Sequence, residues 1–357
     1  MKIGIYDPYI DTLGGGEKYV LTAAECLASS HSVYIFWNNP QDIKQAEKKF
    51  NLNLGKVNIY DNIFSPKVSL IEKLKQTKTF DAILYLSDGS IPFILAKKLI
   101  IHFQFPVEWV NTKSLLFKLK KSRINKIICN SYFTKNYIDK KFNAKSVVIY
   151  PPVEVSLEHE NLHKENYILT VGRYNKLPNG KDFKKQSVLI DVFKEMVDHG
   201  LKNWELKIVI SNLERDKKYV DELERIINHY PVKIYRNIEN KEISNLYQKA
   251  KIYWHAAGFG EDFDKYPERT EHFGISTAEA MFAGCVPVVI NAGGQKEIVK
   301  NNLNGYLWEN TVELINKTKL LIKDQEVWFR LSQDARSSAE KFNKQRFCKE
   351  INSIFEP

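Results

Sequence analysis

Two glutamates flank the start of a short predicted helix at residues 271–280, which read Glu-His-Phe-Gly-Ile-Ser-Thr-Ala-Glu-Ala. The apolar run Val286–Ile290 that follows is typical of a buried strand. The first N–H groups of a helix lack intrahelical partners and lie at the positive end of its dipole, so they suit a phosphate. Glu279 lies about 7 Å along the helix axis from Gly274. The segment therefore predicts a diphosphate between two acids, one near a sugar and one near a ribose.

Basic side chains earlier in the chain are suited to neutralise that diphosphate. Arg173 follows Gly172 at the end of a predicted strand, and Lys184 begins a helical pattern. Both residue types pair with phosphate and stabilise the negative charge that grows as a bond to it breaks. Lys185, the next residue, is the alternative to Lys184. A solvated basic helix start is the competing interpretation.

Glycines and histidines at other strand ends are further candidates. Gly14, Gly15 and Gly16 follow the first predicted strand, where consecutive glycines let the backbone approach a phosphate or sugar. A plain strand-to-helix turn is the alternative. His102 and His255 each close an apolar strand. A lone histidine there is either a ligand contact or a satisfied structural residue, and both interpretations stay open.

The elements that must position these residues alternate between short strands and helical patterns, which is typical of parallel βαβ units. We predict seven strands before the proline break at Tyr150-Pro151-Pro152-Val153: Ile3–Asp7, Val33–Trp37, Val57–Tyr60, Ala82–Ser87, Leu99–Phe103, Lys126–Asn130 and Ser146–Tyr150. Ser156–Asn166 is the predicted linker. Five strands are predicted after it: Tyr167–Arg173, Leu206–Ser211, Val232–Tyr235, Lys251–His255 and Val286–Ile290. Ligands of such sheets bind beyond the carboxyl ends of the strands, where the candidate residues lie.

Taken in order, the glycine loop, His102, the proline break, the Arg173/Lys184 pair and the double-glutamate motif resemble retaining glycosyltransferases of family 4 (group 1). The resemblance covers essentially the whole chain. It implies the α/β fold called GT-B, in which two Rossmann-like parallel-sheet domains face each other across a cleft. Residues 1–152 would be the acceptor domain, joined by a C-terminal helix at about 341–357, and residues 153–340 would be the nucleotide-sugar donor domain.

The same resemblance implies the roles of the site residues. Glu271 would contact hydroxyls of the transferred sugar, and Glu279 those of the ribose. The backbone of Phe273, Gly274 and Ile275 would cradle sugar and phosphate, with Arg173 and Lys184 on the diphosphate. The family has a lysine just before the corresponding helix, and register to Val188-Leu189-Ile190 makes it Lys184, with Lys185 as the alternative. His102 would face the donor and His255 would shape its pocket, while the loop Gly14–Gly16 would help to admit the acceptor. No covalent nucleophile is evident, so the resemblance implies front-face departure and attack.

The implied reaction is transfer of a hexose, of mannose or glucose type, from a GDP- or UDP-linked sugar to a glycan or lipid-linked acceptor. The stretch from Lys251 to Gly274 is similar to mannosyltransferases of the family. A nucleotide-sugar epimerase and a non-catalytic nucleotide-sugar-binding subunit are the alternatives. We expect no cofactor beyond the sugar nucleotide. We also expect no metal, because Asp262-Phe263-Asp264 lies in a charged loop rather than at a strand end.

Excess positive charge is confined to the first part of the chain. Residues 1–152 contain 22 Lys or Arg and 12 Asp or Glu, whereas residues 153–357 contain 31 of each. Such asymmetry indicates an anionic partner or a general solubility bias. The segment Leu115–Arg123 is both basic and apolar. It suits contact with an anionic membrane, although the leucine spacing equally suits core packing. No recognition motif supports nucleic-acid binding.

The cysteines and the chain start bear on the compartment. Cys26, Cys129, Cys285 and Cys348 are dispersed and form no CxxC pair, which indicates a reducing compartment without a metal cluster. The chain starts with a strand-like run instead of a signal peptide, and no apolar run approaches the ~20 residues of a membrane-spanning helix. We therefore expect a cytoplasmic protein with peripheral contact to the inner face of the membrane.

Overall fold

A computed structural model describes residues 1–155, 163–174, 177, 182–212 and 216–356. The chain divides into two compact units, Met1–Pro152 with Lys344–Pro357 and Val153–Asn343. Within the described part of the chain, no helix combines the length and the apolar character needed to cross a membrane.

The first unit is built on a seven-stranded parallel sheet. Its strands are β1 Lys2–Tyr6, β2 Ser32–Phe36, β3 Val57–Tyr60, β4 Ala82–Leu86, β5 Lys98–Phe103, β6 Lys126–Cys129 and β7 Val147–Val148. They lie in the order β3-β2-β1-β4-β5-β6-β7. Its helices are α1 Gly15–Leu27, α2 Pro40–Phe50, α3 Leu70–Thr77, α4 Leu115–Lys121 and α5 Tyr132–Phe142. The order reverses between β1 and β4, and this reversal is where doubly wound sheets place their ligands.

The second unit repeats the plan with six parallel strands. They are β8 Glu165–Arg173, β9 Glu205–Ser211, β10 Val232–Arg236, β11 Ala250–His255, β12 Val286–Ile290 and β13 Tyr306–Trp308, in the order β10-β9-β8-β11-β12-β13. The helices are α6 Gln186–Asp198, α7 Lys217–Ile227, α8 Asn240–Lys249, α9 Ile275–Phe282, α10 Gln295–Ile298, α11 Thr311–Lys323 and α12 Gln325–Ala339. The predicted strands all form, but β13 was missed because three residues give too short an apolar run.

The predicted linker is only partly supported. Residues 156–162 lie outside the described residues, and Glu165 and Asn166 already belong to β8. The linker prediction was therefore too long at its carboxyl end.

The last helix, α13 Lys344–Phe355, belongs to the first unit. Phe347, Ile351 and Phe355 are buried in the same hydrophobic core as α1. Cys348 of this helix forms a disulfide with Cys26 of α1, with a Cα–Cα distance of 5.1 Å. Two of the dispersed cysteines are thus bonded to each other, and their sequence separation of 322 residues conceals the pairing. The argument for a reducing compartment therefore loses its basis.

Candidate functional site

The candidate site of the second unit is centred on Glu271, in the loop before α9. Its Oε2 accepts a hydrogen bond from Lys184 Nζ at 2.5 Å and another from His255 Nε2 at 2.9 Å. β11 ends at His255, and β8 and β12 are its neighbours in the sheet. Because the carboxyl ends of adjacent parallel strands meet at one edge of the sheet, Lys184 and Glu271 come together there although they are 87 positions apart in the sequence.

The protonation states of this cluster follow from burial and charge. Burial by itself would raise the pKa of Glu271, but the Lys184 ammonium and the hydrogen bond from His255 hold it well below its ordinary value. Burial lowers the pKa of His255, although the neighbouring carboxylate opposes this shift. Glu271 is thus an anion that accepts from a neutral imidazole carrying its proton on Nε2. A largely buried anion that accepts from two donors is held in a fixed orientation.

Lys184 is positioned by the turn that opens α6. Asp182 accepts hydrogen bonds from the backbone N–H of Lys184 at 2.8 Å and of Gln186 at 2.7 Å, and from the Tyr219 hydroxyl at 2.6 Å. The stem of Lys184 runs past Gly172, where a Cβ atom would lie 3.1 Å from Lys184 Cγ. Gly172 therefore leaves room for the lysine to reach Glu271. Sequence reasoning missed Asp182, for which only an acid just before a helix was a signal.

Lys185 makes a separate buried ion pair. Its backbone adopts the left-handed conformation, with φ of 56°, at the N-cap of α6. Its Nζ lies 2.5 Å from Glu261 Oε1, and Arg269 reaches the other oxygen of Glu261 at 3.3 Å. The two neighbouring lysines thus bind two different carboxylates. Lys184, rather than Lys185, lies beside Glu271.

Glycines shape the backbone before and after α9. Gly274 is the N-cap of α9 with φ of 112°, and a Cβ there would lie 2.7 Å from Gln295 Nε2. A Cβ at Gly293 would lie 2.1 Å from Thr270 Oγ1, and the Gly294 N–H donates to the Glu271 carbonyl at 2.7 Å. Sequence reasoning missed the Gly293-Gly294 pair, although paired glycines after a strand were a visible signal.

The second glutamate lies one turn into α9. Glu279 Oε2 accepts from the Tyr247 hydroxyl at 3.3 Å, and its side chain is partly exposed. Phe273 is buried against the Phe342 ring, with centroids 5.2 Å apart, so its side chain anchors the loop and only its backbone is available for a ligand. Ile275 is half-buried at the helix start.

Arg173 is the last residue of β8, in register with Ser211 of β9. Gly172-Arg173 therefore ends the strand next to β11, at the sheet edge that also carries His255. The structure thus groups Arg173, Lys184, His255 and Glu271 at the carboxyl edge of the second sheet.

The candidates of the first unit lie at the edge of the other sheet. The backbone N–H of Gly14 donates to the Glu17 carboxylate at the start of α1. A Cβ at Gly16 would lie 2.1 Å from Gln104 Oε1, and Gln104 Nε2 donates to the Gly16 carbonyl at 3.0 Å. The close approach at Gly16 is thus to a protein side chain, which supports the turn interpretation at this glycine.

His102 lies inside the first unit. Its ring stacks on Tyr19 with centroids 4.1 Å apart, and its Nδ1 lies 3.3 Å from the Ile128 carbonyl. Burial lowers the pKa of His102 to about 3, so the imidazole is neutral at pH 7. The ring is thus packed and its Nδ1 faces a carbonyl, whereas its Nε2 is buried with no hydrogen-bond partner among the described residues. Contact of His102 with a donor stays a prediction.

The Asp-Phe-Asp segment lies on the surface. Asp262 and Asp264 are exposed, and Asp262 Oδ1 accepts from the backbone N–H of Lys265 at 3.1 Å. In the described part of the chain, no group of three or more His, Cys, Asp or Glu is arranged to hold a metal ion. Independence from a metal stays a prediction.

Comparison with known proteins finds one protein family and several distant relatives. The sequence model of the family described as Glycosyl transferases group 1 matches residues 155–341. An uncharacterized glycosyltransferase of Haemophilus influenzae is 25% identical over 380 residues, covering 99% of both chains. The GDP-Man:Man(3)GlcNAc(2)-PP-Dol alpha-1,2-mannosyltransferase of Dictyostelium discoideum is 23% identical over 269 residues. That match covers 70% of this chain and 50% of the mannosyltransferase, so the chain spans about half the length of that relative.

Two solved structures resemble the whole chain. The glycosyltransferase of Rickettsia africae has a TM-score of 0.76 at 17% identity and covers 99% of this chain and 97% of its own. HepE of Anabaena, solved with UDP and glucose, has a TM-score of 0.72 at 19% identity and covers 99% of both chains. With the seven- and six-stranded sheets, these likenesses confirm the predicted fold class of two Rossmann-like parallel-sheet domains.

Proposed function

We propose that this chain, which belongs to the glycosyl transferases group 1, moves a hexose from a GDP- or UDP-linked sugar nucleotide with retention of configuration. The observation that carries the proposal is the ionised Glu271, held by Lys184 and His255 at the carboxyl edge of the second sheet. A fixed carboxylate beside a lysine provides one group for sugar hydroxyls and one for a phosphate.

Lys184 changes partner in the proposed reaction. Without donor, its ammonium pairs with Glu271 at 2.5 Å. When a donor binds, the diphosphate takes the ammonium, together with Arg173 and the first N–H groups of α9. Glu271, released from the lysine, then accepts hydrogen bonds from sugar hydroxyls while His255 keeps it in place. The Glu279 carboxylate, one turn further along α9, accepts from the ribose hydroxyls.

The proposed chemical step occurs on one face of the sugar. The bond from the anomeric carbon to the diphosphate oxygen breaks, and the electron pair leaves with the diphosphate, whose growing charge Lys184 and Arg173 stabilise. The acceptor hydroxyl attacks from the same face and gives its proton to the departing phosphate oxygen. The protein's part is charge stabilisation and orientation, and the negative charge of Glu271 favours the oxocarbenium-like sugar.

The donor and the acceptor are the finer parts of the proposal. The mannosyltransferase among the relatives supports a GDP-linked mannose, whereas HepE, solved with UDP and glucose, supports a UDP-linked glucose. We propose a glycan or lipid-linked acceptor that binds to the first unit, which carries the excess positive charge. No metal is part of the proposed step, because the basic groups above neutralise the diphosphate.

A two-stage experiment tests the donor and the transfer. Melting curves with GDP, UDP and ADP should show a shift for one base, because a ligand at 100 times its Kd stabilises by about 2.7 kcal/mol. The matching sugar nucleotide is then incubated with glycan and lipid-linked acceptors, and the anomeric configuration of the product is read by NMR. Inverted product would overturn the retaining mechanism, and free sugar or epimer without any acceptor would favour an epimerase.

Variants separate the two roles. Glu271→Ala should abolish transfer with a modest loss of nucleotide affinity, because the carboxylate contacts the sugar and not the nucleotide. Lys184→Ala should weaken nucleotide-diphosphate binding as well. The control is Lys296→Ala, an exposed lysine in the short helix α10 after Gly293-Gly294, which should behave as wild type. Turnover like that of wild type in Glu271→Ala would refute the assignment.

A further inference from the structure

Helix α4 in the first unit presents apolar side chains to solvent. Phe117 alone among its apolar residues is buried, and its ring packs on Phe142 with centroids 5.4 Å apart. Leu115, Leu116 and Leu119 are between 53% and 74% exposed. The interpretation of these leucines as core residues was therefore wrong, because α4 packs on the first unit through Phe117.

Trp109, six residues before α4, is a further apolar side chain that is 60% exposed. Its ring stacks on Phe105 at 6.0 Å, so it is held in place. Just beyond the other end of α4, Arg123 donates to the Ala96 carbonyl at 3.4 Å. We call Trp109, Leu115, Leu116 and Leu119 the apolar patch.

The segment that carries the apolar patch is strongly basic. Residues 109–138 contain seven Lys or Arg and no Asp or Glu. In the described part of the chain, Lys113, Lys118 and Lys120 form no side-chain ion pair. The nearest acid before the patch in the sequence, Glu108, is 3.7 Å from Lys141. The segment therefore combines exposed apolar groups with three lysines that form no ion pair with any described residue.

We propose that the apolar patch and its lysines bind the surface of an anionic phospholipid bilayer. Leucines and a tryptophan insert at the boundary between headgroups and acyl chains, where tryptophan is favoured, while lysines contact lipid phosphates. A neutral apolar partner would leave the lysines without counter-charges, and a soluble acidic partner would not need the leucines. The proposal concerns only the first unit and does not depend on the transfer reaction.

Co-sedimentation with vesicles tests the proposal with the full chain. Vesicles of phosphatidylcholine alone should bind weakly, and vesicles that also contain phosphatidylglycerol should bind at least tenfold more tightly. Lys118→Gln/Lys120→Gln should weaken binding by about fivefold for each lysine removed. Leu116→Ser/Leu119→Ser should weaken it by on the order of tenfold. All four residues project into solvent or are partly exposed, so the variants should keep the wild-type melting temperature.

A matched control and an optical reading complete the test. Val312→Ser/Phe329→Ser removes two exposed apolar side chains from the second unit and should bind vesicles as wild type does. Trp109 fluorescence should shift to the blue with anionic vesicles, and Trp109→Phe should lose that shift. Equal binding to both vesicle types, or unchanged binding by both patch variants, would overturn the proposal. So would a dimer in solution that the leucine variant dissociates, because the patch would then be a contact between copies.

Discussion

Replacing Lys184 with methionine keeps a side chain of similar length but removes the ammonium group from Glu271. The two side chains are 15% and 17% exposed, so water screens the pair only in part. Breaking a fully buried pair costs 3–5 kcal/mol because one charge is left without a partner, and the partial exposure reduces this to about 3 kcal/mol. For a unit of this size we expect a fall in Tm of roughly 6–12 °C.

The pH dependence of this loss identifies its cause. Without the ammonium, burial raises the pKa of Glu271, since only the hydrogen bond from His255 still opposes it. Lowering the pH from 7 toward 5 should then protonate the carboxyl group in Lys184→Met and shrink the difference from wild type. Unfolding should be followed by urea titration with tryptophan fluorescence, because Trp254 and Trp308 are buried in the second unit.

A double-mutant cycle and a surface pair serve as controls. Lys184→Met/Glu271→Gln should recover part of the lost stability, with a coupling energy of about 1–3 kcal/mol. Lys97 forms a 2.7 Å ion pair with Asp81, but its side chain is 78% exposed. Lys97→Met should therefore change stability by less than about 0.5 kcal/mol. If Lys184→Met behaves like Lys97→Met and the cycle shows no coupling, Glu271 is not held by Lys184 and the reasoning fails.

Three further predictions follow from single features of the units. The pKa of His102 is about 3 in the folded protein and 6.5 in the unfolded chain, so the free energy of unfolding should fall as the pH drops below 6.5, by about 2 kcal/mol at pH 5. His102→Phe should flatten this dependence of the unfolding free energy on pH in a series of urea titrations, and an unchanged dependence would contradict the burial argument. Gly293→Ala should lower the Tm of the second unit, because its Cβ would overlap Thr270 Oγ1 and φ is 56°; a melting curve like that of wild type would refute this packing. Reducing the Cys26–Cys348 disulfide should destabilise the chain by about 2–4 kcal/mol, measured as melting with and without a thiol reductant, with Cys348→Ser insensitive to the reductant; intact mass showing all four cysteines as free thiols in the native protein, rather than only Cys129 and Cys285, would refute the disulfide itself.

Periodicity and local composition were enough to predict the two-sheet fold. The β-branched runs of the strands and the helices between them are local signals, and all twelve predicted strands form. The double-glutamate motif was also visible locally, because a glycine N-cap, a short helix and a buried strand follow one another within about 20 residues. Arg173, Lys184 and Glu271 could thus be selected individually.

Tertiary structure alone decided which of these residues meet and in what state. Lys184 and Lys185 have the same charge and adjacent positions in the sequence. In the fold, with the backbone of Lys185 in the left-handed conformation, Lys184 pairs with Glu271 and Lys185 pairs with Glu261. The ionisation of Glu271 and the neutrality of His102 depend on burial and on neighbours distant in sequence. The same reason explains the Cys26–Cys348 disulfide, whose partners are 322 residues apart. A sequence specifies residue types and local conformation, whereas pairing across a sheet edge and exclusion of water arise only once the chain has folded.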